Sequence, residues 1–390
     1  MNVVYYAQHV RDYFWVQPIW EETGGAFCSE LPEIEPLFRQ YAPEVPFQLL
    51  RTKRRFTIGR AIGNRKLTIK NKAQRLQLEQ VARELSSDVI ISTSNHRHAM
   101  TPELRDELFR AGKIKKNTKQ VQAFHGVSSK NVKFNPWMSE FDLLLLPGKR
   151  ERDKFAALGV LDNTQYALIG HPKSDRVLRG ELTKEIARAK YNLPDKPTIL
   201  YAPTHGALSS FFSWGLEICR SVPEDWNLIV KPHPVLATTT AAEGAGGETI
   251  LQVKEYLEKR GARENNTRWL PLEPDVVPLM AASDALITDY SSVAEEYLVF
   301  DRPLIFADHL ANATGRDRLQ RDKGDWAELF AIGERVTEIG AMPNAVAGVL
   351  QRPQEQHEAR KTMRDFVFEN LDGNCAARAA QAIYDVVHSA

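Results

Sequence analysis

The sequence has no long apolar run. The longest clear run, Leu143 to Leu146, is far shorter than the roughly 20 residues that a membrane-spanning helix needs. The first residues, MNVVYYAQHVRDYF, carry charges early and contain no apolar core of signal-peptide length. Any membrane contact is therefore expected to be peripheral, with the protein on the cytoplasmic side.

Cysteines and metal-binding motifs are also scarce. The three cysteines, Cys28, Cys219 and Cys375, lie far apart, which excludes a disulfide framework and a zinc knuckle and fits a reducing cytoplasm. No D-x-D motif occurs, and no carboxylate cluster follows an apolar strand. The histidines of "HRH", His96 to His98, have a spacing seen in some metal sites, but no acidic or cysteine partner lies in their stretch. We expect no metal and no cofactor.

The net charge of +1 gives no overall field that would favour nucleic acid. The local distribution is uneven, because ten Lys or Arg and no Asp or Glu occur from Arg51 to Leu78. A solvated basic face is one interpretation, and a patch for anionic lipid or phosphate is the other. No aromatic-rich RNA-binding motif accompanies the charge, so nucleic acid is not an expected partner.

Short apolar runs alternate with longer amphipathic ones, which predicts an α/β fold. The predicted strands are NVVYYA, DVIIST, QVQAFHG, DLLLLPG and YALIGHP, then TILYAPTHG, WNLIVKPHP, TRWLP, DALITD and PLIFAD. We predict two doubly wound, Rossmann-like domains, residues 1–178 and 179–390, that face each other across a cleft. The last, Ala-rich helix is a candidate to pack back on the N-terminal domain.

The segment DALITDYSSVAEEY, residues 284–297, ends an apolar strand in a group of hydroxyls and enters a helix at once. Ser292 and Glu295 match a capping box, which would be a purely structural role. A helix N-terminus with two adjacent serines also forms a phosphate cradle, because its N–H groups are free and its dipole is positive there. The capping box alone leaves Thr288, Asp289 and Ser291 without a role.

Four histidines follow predicted strands: His125, His171, His205 and His233. The carboxyl ends of strands line the ligand crevice in open parallel sheets. In "KPHP" two prolines restrict the backbone around His233, whose imidazole can bind phosphate or carry a proton near neutral pH. A loop histidine with a structural hydrogen bond is the alternative.

Six segments, in chain order, carry a resemblance to a known family: HG followed by Lys130, FDLLLLPGKRERDKFAALG, GHPKSDRVL, ILYAPTH, LIVKPHP and PLMAASDALITDYSSVAEEYLVFDRPLIF. They resemble the CDP-glycerol glycerophosphotransferase family of teichoic-acid primases and polymerases. The resemblance is clearest over residues 122–308. It implies a GT-B fold and a CDP-activated alcohol phosphate as donor. An acceptor hydroxyl would attack the β-phosphorus, and CMP would leave. His125 would be the general base, and His233 would contact the donor pyrophosphate.

The resemblance also implies the remaining site residues. On the donor side they are Thr204, His205, Lys231, Thr288, Asp289, Ser291, Ser292 and Glu295, with Asp289 either a scaffold or a ribose contact. On the acceptor side they are Gly126, Ser128 and Lys130. "FHGVSSK" departs from the family's Trp-His-Gly-Thr-Pro-Leu-Lys, and "YAPTHG" lacks the Arg of "YAPTWR". The chain is short for a polymerase and closer in size to a primase.

Members of the family act on lipid-linked acceptors at the inner membrane face. The expected partners are therefore a nucleotide-activated donor, a lipid-linked or glycan acceptor, and anionic membrane through residues 51–75. Two alternatives stay open. One is a GT-B enzyme that uses a sugar nucleotide, as a glycosyltransferase or 2-epimerase. The other is a non-enzymatic, membrane-associated binding protein.

Overall fold

The computed structural model describes residues 1–7, 10–29, 31–49, 87–93, 118–124, 134–234, 245–322, 324 and 326–389. They form two compact units. The first contains the described residues up to Asp175 and those from Phe368 onward, and the second contains residues 176–367. The boundary predicted at residue 178 lies slightly beyond this division.

The first unit is built on a parallel sheet of seven strands in the order β3-β2-β1-β4-β5-β6-β7. Its strands are β1 (Val3–Tyr6), β2 (Ala26–Ser29), β3 (Phe47–Leu49), β4 (Val89–Ser92), β5 (Lys119–Ala123), β6 (Leu143–Leu146) and β7 (Gln165–Leu168). The central strands β1, β4 and β6 are nearly continuous apolar runs because helices cover both faces of such a sheet, whereas β5, KQVQA, contains two buried glutamines.

Helices cover the sheet of the first unit. They are α1 (Val10–Thr23), α2 (Ile34–Tyr41), α3 (Lys149–Ala157) and the C-terminal helix α14 (Cys375–His388). The short helix α4 (Asp175–Leu178) has its first residue in the first unit and the others in the second. Ile383 and Val386 of α14 join the same core as Tyr13 of α1 and Ile91 of β4. Phe155 of α3 packs in a second cluster with Leu144 and Leu146. The last helix therefore packs within the N-terminal unit.

The second unit repeats this plan with six parallel strands in the order β10-β9-β8-β11-β12-β13. They are β8 (Thr198–Tyr201), β9 (Asn227–Val230), β10 (Thr267–Trp269), β11 (Ala285–Thr288), β12 (Leu304–Ala307) and β13 (Glu334–Val336). Counted within the unit, the order is 3-2-1-4-5-6, which is the Rossmann order. The first unit has the same order with one more strand at its edge.

The helices of the second unit include several short ones. They are α5 (Lys184–Lys190), α6 (Phe211–Ser221), α7 (Ala245–Glu264), α8 (Val277–Ala282), α9 (Val293–Tyr297), α10 (Gly315–Arg321), α11 (Trp326–Phe330), α12 (Met342–Val349) and α13 (His357–Val367). Short 3-10 turns lie at Pro136–Glu140, Val160–Asp162, Pro172–Ser174, Gly206–Leu208, Leu298–Phe300 and Ile339–Ala341. Ile218 of α6, Val253 of α7 and Val346 of α12 pack on one face of the sheet.

The α/β prediction and all ten predicted strands are confirmed. Three further strands, β2, β3 and β13, were missed. They are short, and β3 and β13 are sheet edges with partly exposed residues, so they lack a continuous apolar run. No helix among the described residues has the length and apolar character needed to cross a bilayer.

Candidate functional site

The strand order of the second unit reverses between β8 and β11, which are parallel neighbours with Leu286 paired to Leu200. Ligands of open α/β sheets bind beyond the carboxyl ends of the strands at such a reversal. Thr204 and His205 follow β8, and Asp289 and Ser291 follow β11. The fold thus brings two distant motifs, "YAPTHG" and "TDYSS", to one edge of the sheet.

Asp289 holds these two motifs together. One carboxylate oxygen accepts the backbone N–H of Thr204 at 2.8 Å. The other accepts the N–H of Ser210 at 2.7 Å and its hydroxyl at 2.9 Å. The side chain is fully buried, so the carboxylate depends on these bonds for its solvation. Of the two roles predicted for Asp289, the scaffold is the one that its hydrogen bonds fit.

Thr288 and Lys231 also make contacts within the protein. The Thr288 hydroxyl, which is fully buried, donates to the carbonyl of Ala202 at 2.7 Å and links β11 to the chain after β8. The Lys231 ammonium is largely buried and donates to the carbonyl of Pro232 at 3.1 Å. Both residues were predicted to contact the donor, and both support the backbone from which other site residues project.

Two imidazoles lie together at the ends of neighbouring strands. The ring centroids of His205, after β8, and His233, after β9, are 4.3 Å apart with planes inclined by 49°. His205 is exposed and His233 is partly exposed, so both rings can be reached from solvent. Gly206 has φ +68°, a left-handed conformation that turns the chain directly after His205. Paired imidazoles of this kind can donate hydrogen bonds to an anion.

The capping box predicted for Ser292 and Glu295 is wrong. Ser292 already has helical dihedrals, φ −62° and ψ −16°, and its side chain makes no capping hydrogen bond. The hydroxyl of Ser291 accepts the N–H of Val293 instead, at 3.4 Å. Glu295 is fully buried. Helix α9 has only five residues, so it offers a weaker dipole at the serines than the sequence suggested.

His171 stands at a strand end in the first unit and has a different environment. Its Nδ1 lies 2.6 Å from the Ser174 hydroxyl, and its ring centroid lies 5.2 Å from that of Phe368. Burial, with a smaller contribution from Lys173, lowers the pKa of His171 to about 3. Asp175 nearby accepts the N–H groups of Cys375 and Ala376 at the start of α14. His171 is therefore a neutral core residue, and the neighbouring Asp175 holds the start of the C-terminal helix.

Several predicted positions lie outside the described residues. They are the catalytic His125, the acceptor-side Gly126, Ser128 and Lys130, the basic stretch 51–75 and the histidines of "HRH". Their roles stay predictions.

The sequence reasoning missed two residues at this edge of the sheet. Ser210 donates two hydrogen bonds to Asp289, and no sequence signal singles it out. His309 follows β12 by the same strand-exit pattern that marked the other histidines, and that pattern could have found it. Its ring lies 5.9 Å from Tyr290 and 6.2 Å from Trp214. Burial lowers the pKa of His309, and the carbonyls of Ala307 and Ala207 partly oppose that shift.

The described part of the chain contains no group of three or more His, Cys, Asp or Glu side chains arranged to hold a metal ion. The edge of the second sheet instead combines imidazoles, hydroxyls and backbone N–H groups. Such donors stabilise negative charge on a phosphate when they are held in fixed positions. Anion binding is therefore the chemistry that this arrangement supports.

Residues 64–385 match the family described as CDP-glycerol:poly(glycerophosphate) glycerophosphotransferase, a range that includes every residue predicted for the site. A teichoic acid glycerol-phosphate primase of Bacillus spizizenii is 26% identical over 192 residues, 48% of this chain and 45% of the relative. A teichoic acid glycerol-phosphate transferase of Staphylococcus aureus is 23% identical over 274 residues, 66% of this chain and 65% of the relative.

The fold is similar to that of the wall teichoic acid polymerase TagF, with a TM-score of 0.60 at 17% identity over 99% of this chain and 89% of that one. This likeness confirms the predicted GT-B architecture. The chain spans between 29% and 65% of the length of the curated relatives that it matches.

Proposed function

The chain belongs to the CDP-glycerol:poly(glycerophosphate) glycerophosphotransferase family, and we propose that it moves a glycerol-phosphate or related polyol-phosphate unit from a CDP-activated donor to an acceptor hydroxyl. The match over residues 64–385 carries this proposal, because the range includes both the histidine of "FHG" and the "KPHP" and "TDYSS" segments.

The reaction is a phosphoryl transfer. The acceptor oxygen forms a bond to the β-phosphorus of the donor, the bond from that phosphorus to the bridging oxygen breaks, and CMP leaves with the electron pair. The proton of the acceptor hydroxyl passes to His125, the proposed general base. Because the transferred group stays highly charged throughout, the protein contributes mainly positioning and hydrogen-bond donors.

The donor pyrophosphate would bind at the carboxyl ends of β8, β9 and β11. His233 and His205 support this placement, since their rings are 4.3 Å apart and accessible. Ser291 and Ser292 would add hydroxyls from the turn after β11. Asp289, Thr288 and Glu295 would act from behind, because each is fully buried. Lys231 and Ser291 keep a small exposed fraction, 8% and 6%, and would both face the phosphates. In this chain Gly206 occupies the place of the arginine in the related "YAPTWR" motif, and the neighbouring His205 would supply a hydrogen-bond donor instead.

We further propose that the transfer needs no metal ion. Imidazole, ammonium and N–H donors can supply the stabilisation that a divalent cation supplies in many phosphoryl transferases. The acceptor would be lipid-linked or a glycan, in the synthesis of a cell-surface polymer. The protein would then work at the inner face of the membrane, where the basic stretch 51–75 could meet anionic headgroups.

Ligand binding is the first test. Purified protein in EDTA is titrated with CDP-glycerol, CDP-ribitol and a panel of UDP-sugars, and the melting temperature is recorded, because a ligand of the folded state raises it. We expect a shift with a CDP-alcohol that becomes much smaller at the same ligand concentration when Ser291→Ala and Ser292→Ala are combined, because the donor then binds more weakly. Ser221→Ala, at the far end of α6, serves as the matched control. A shift with UDP-sugars alone would contradict the proposal and indicate a glycosyltransferase or epimerase.

Turnover is the second test. With a lipid-linked glycan acceptor, wild-type protein should release CMP in EDTA, and His125→Ala should reduce the rate by about 10²-fold or more. The same variant should keep the CDP-glycerol-induced rise in melting temperature, because His125 is assigned to the acceptor. Loss of CMP release in EDTA with recovery on added Mg²⁺ would contradict the metal-free mechanism alone.

A further inference from the structure

The turn that carries Ser291 and Ser292 is anchored a second time, by Tyr290. Its side chain is fully buried, and its hydroxyl donates a hydrogen bond to the carboxylate of Asp308, which follows β12. The ring is enclosed edge-on by Trp326 and Phe330, with centroids 5.0 Å and 5.6 Å away. This packing leaves the phenol one position, against the end of the neighbouring strand.

Asp308 is itself held by the outer strand. The carboxylate is fully buried and accepts the Nε–H of Arg335, on β13, at 2.7 Å. Its backbone N–H donates to the carbonyl of Val336 at 2.9 Å. Burial and the bond to Asp308 raise the pKa of Tyr290, so the phenol stays a neutral donor at any physiological pH. A buried carboxylate between a cation and a phenol is well satisfied and therefore rigid.

Asp289 and Tyr290 are consecutive and anchor the chain in opposite directions. Asp289 binds N–H groups of the segment after β8, whereas Tyr290 reaches the far side, to β12 and β13. Two adjacent side chains fixed on opposite sides leave the backbone between them little freedom. The direction in which Ser291 and Ser292 leave the sheet is thus determined by both.

We propose that Tyr290, Asp308 and Arg335 form a positioning relay that orients Ser291 and Ser292 toward the donor phosphates. The effect of the relay on donor binding rests on the proposed function. The restriction that the relay places on the backbone of Ser291 and Ser292 does not. None of its three members needs to touch substrate. The relay differs from a general core contact because its effect on ligand binding must pass through the serines.

The mechanical part can be tested without ligand. Tyr290→Phe keeps the ring and removes the hydroxyl, and amide hydrogen exchange then reports on Val293 to Glu295, whose N–H groups bond to Ser291 and Ser292. We expect about a tenfold or greater acceleration there. Tyr297→Phe is the control. It removes an equally buried hydroxyl from α9, the helix that contains the probed amides, and this hydroxyl is bonded at 3.0 Å to Ser283 before β11. Equal acceleration in both variants would overturn the relay.

The functional part is tested by a double-mutant cycle on CDP-glycerol affinity. We expect Tyr290→Phe to raise the dissociation constant about tenfold in the wild-type background. In the background that lacks both serine hydroxyls, the same change should have less than about a twofold effect. An equal effect in both backgrounds would overturn the relay. If wild-type protein binds no CDP-alcohol, the proposed function fails, and the exchange experiment alone decides on the relay.

Discussion

Two histidines that follow parallel strands, His171 in the first unit and His233 in the second, show how one sequence pattern serves two purposes. His171 is buried beside Ser174 and Phe368 and is held neutral. His233 is partly exposed beside a second imidazole. The strand-exit position is common to both, so position alone does not identify a ligand-binding residue. The surroundings decide: in the first unit they are aromatic and packed, and in the second they are polar and open.

The largest expected effect separates these two histidines. His233→Ala should lower CMP release by about 10³-fold, because a preorganised donor to the phosphate is lost, while the unfolding free energy changes little. His171→Ala should do the reverse, lowering the melting temperature and leaving CDP-glycerol affinity unchanged. Rates of CMP release and thermal unfolding curves for both variants test the contrast. Equal loss of activity in the two variants would contradict the proposed contrast between His233 and His171.

The next effect concerns the two ends of β11. Asp284, before the strand, accepts the N–H of Thr198 at 2.8 Å, and Asp289, after it, accepts that of Thr204 at the same distance. Asp289→Ala leaves two buried N–H groups without an acceptor and should cost about 4 kcal/mol or more of unfolding free energy. It should also abolish the melting-temperature rise with CDP-glycerol.

Asp284→Ala is the matched control for that change. Its carboxylate is partly exposed, so water can replace some of the lost bonds, and the loss of stability should be smaller. The rise with CDP-glycerol should survive, since Asp284 lies at the opposite end of the strand. Urea unfolding of both variants, with and without ligand, separates stability from binding. Loss of the ligand response in Asp284→Ala would show that general destabilisation explains the first result.

The glycines next to His171 and His205 test the same difference between packed and open surroundings. Gly170, next to His171, has φ +80°, and an added Cβ would lie 2.5 Å from the carbonyl oxygen of Glu369 and 2.7 Å from the Cys375 sulfur. Gly206, next to His205, has φ +68° with nothing within 4 Å. Gly170→Ala should cost about 3 kcal/mol, from backbone strain and crowding together, and Gly206→Ala about 1 kcal/mol from strain alone. Chemical denaturation measures both, and equal costs would contradict the packing difference.

The sequence allowed much of the fold to be predicted and less of the site. Most central strands were found because strands buried on both faces are largely apolar, whereas the short edge strands β3 and β13 lack that signal. The motifs after β8, β9 and β11 were identified, and parallel topology brings them together. What each side chain does there depends on burial and hydrogen-bond direction, which spacing does not encode. The sequence therefore grouped Asp289 and Thr288 with His233, although their hydrogen bonds are internal.

The capping box illustrates the same limit. Ser292 and Glu295 have the required spacing, and Ser292 directly precedes the helix, yet its dihedral angles are already helical and its side chain makes no capping bond. The turn before the helix is held by long-range bonds, from Asp289 to the segment after β8 and from Tyr290 to Asp308 after β12. Such bonds join residues far apart in sequence, so no local signal announces them.

The last effect is a pH dependence confined to the first unit. The pKa of His171 is about 3 in the folded protein, against about 6.5 in an unfolded chain. Between these values the unfolded state binds a proton that the folded state does not, so the unfolding free energy falls as the pH drops through this window, by up to about 1.4 kcal/mol per pH unit. Above pH 6.5 both states are neutral and the contribution is constant. His171→Gln should flatten this slope, measured by urea unfolding between pH 7 and 5, because the carboxylates contribute equally to wild type and variant. Identical slopes in the two proteins would mean that His171 is protonated in its pocket, and the division between a packed and an open histidine would no longer hold.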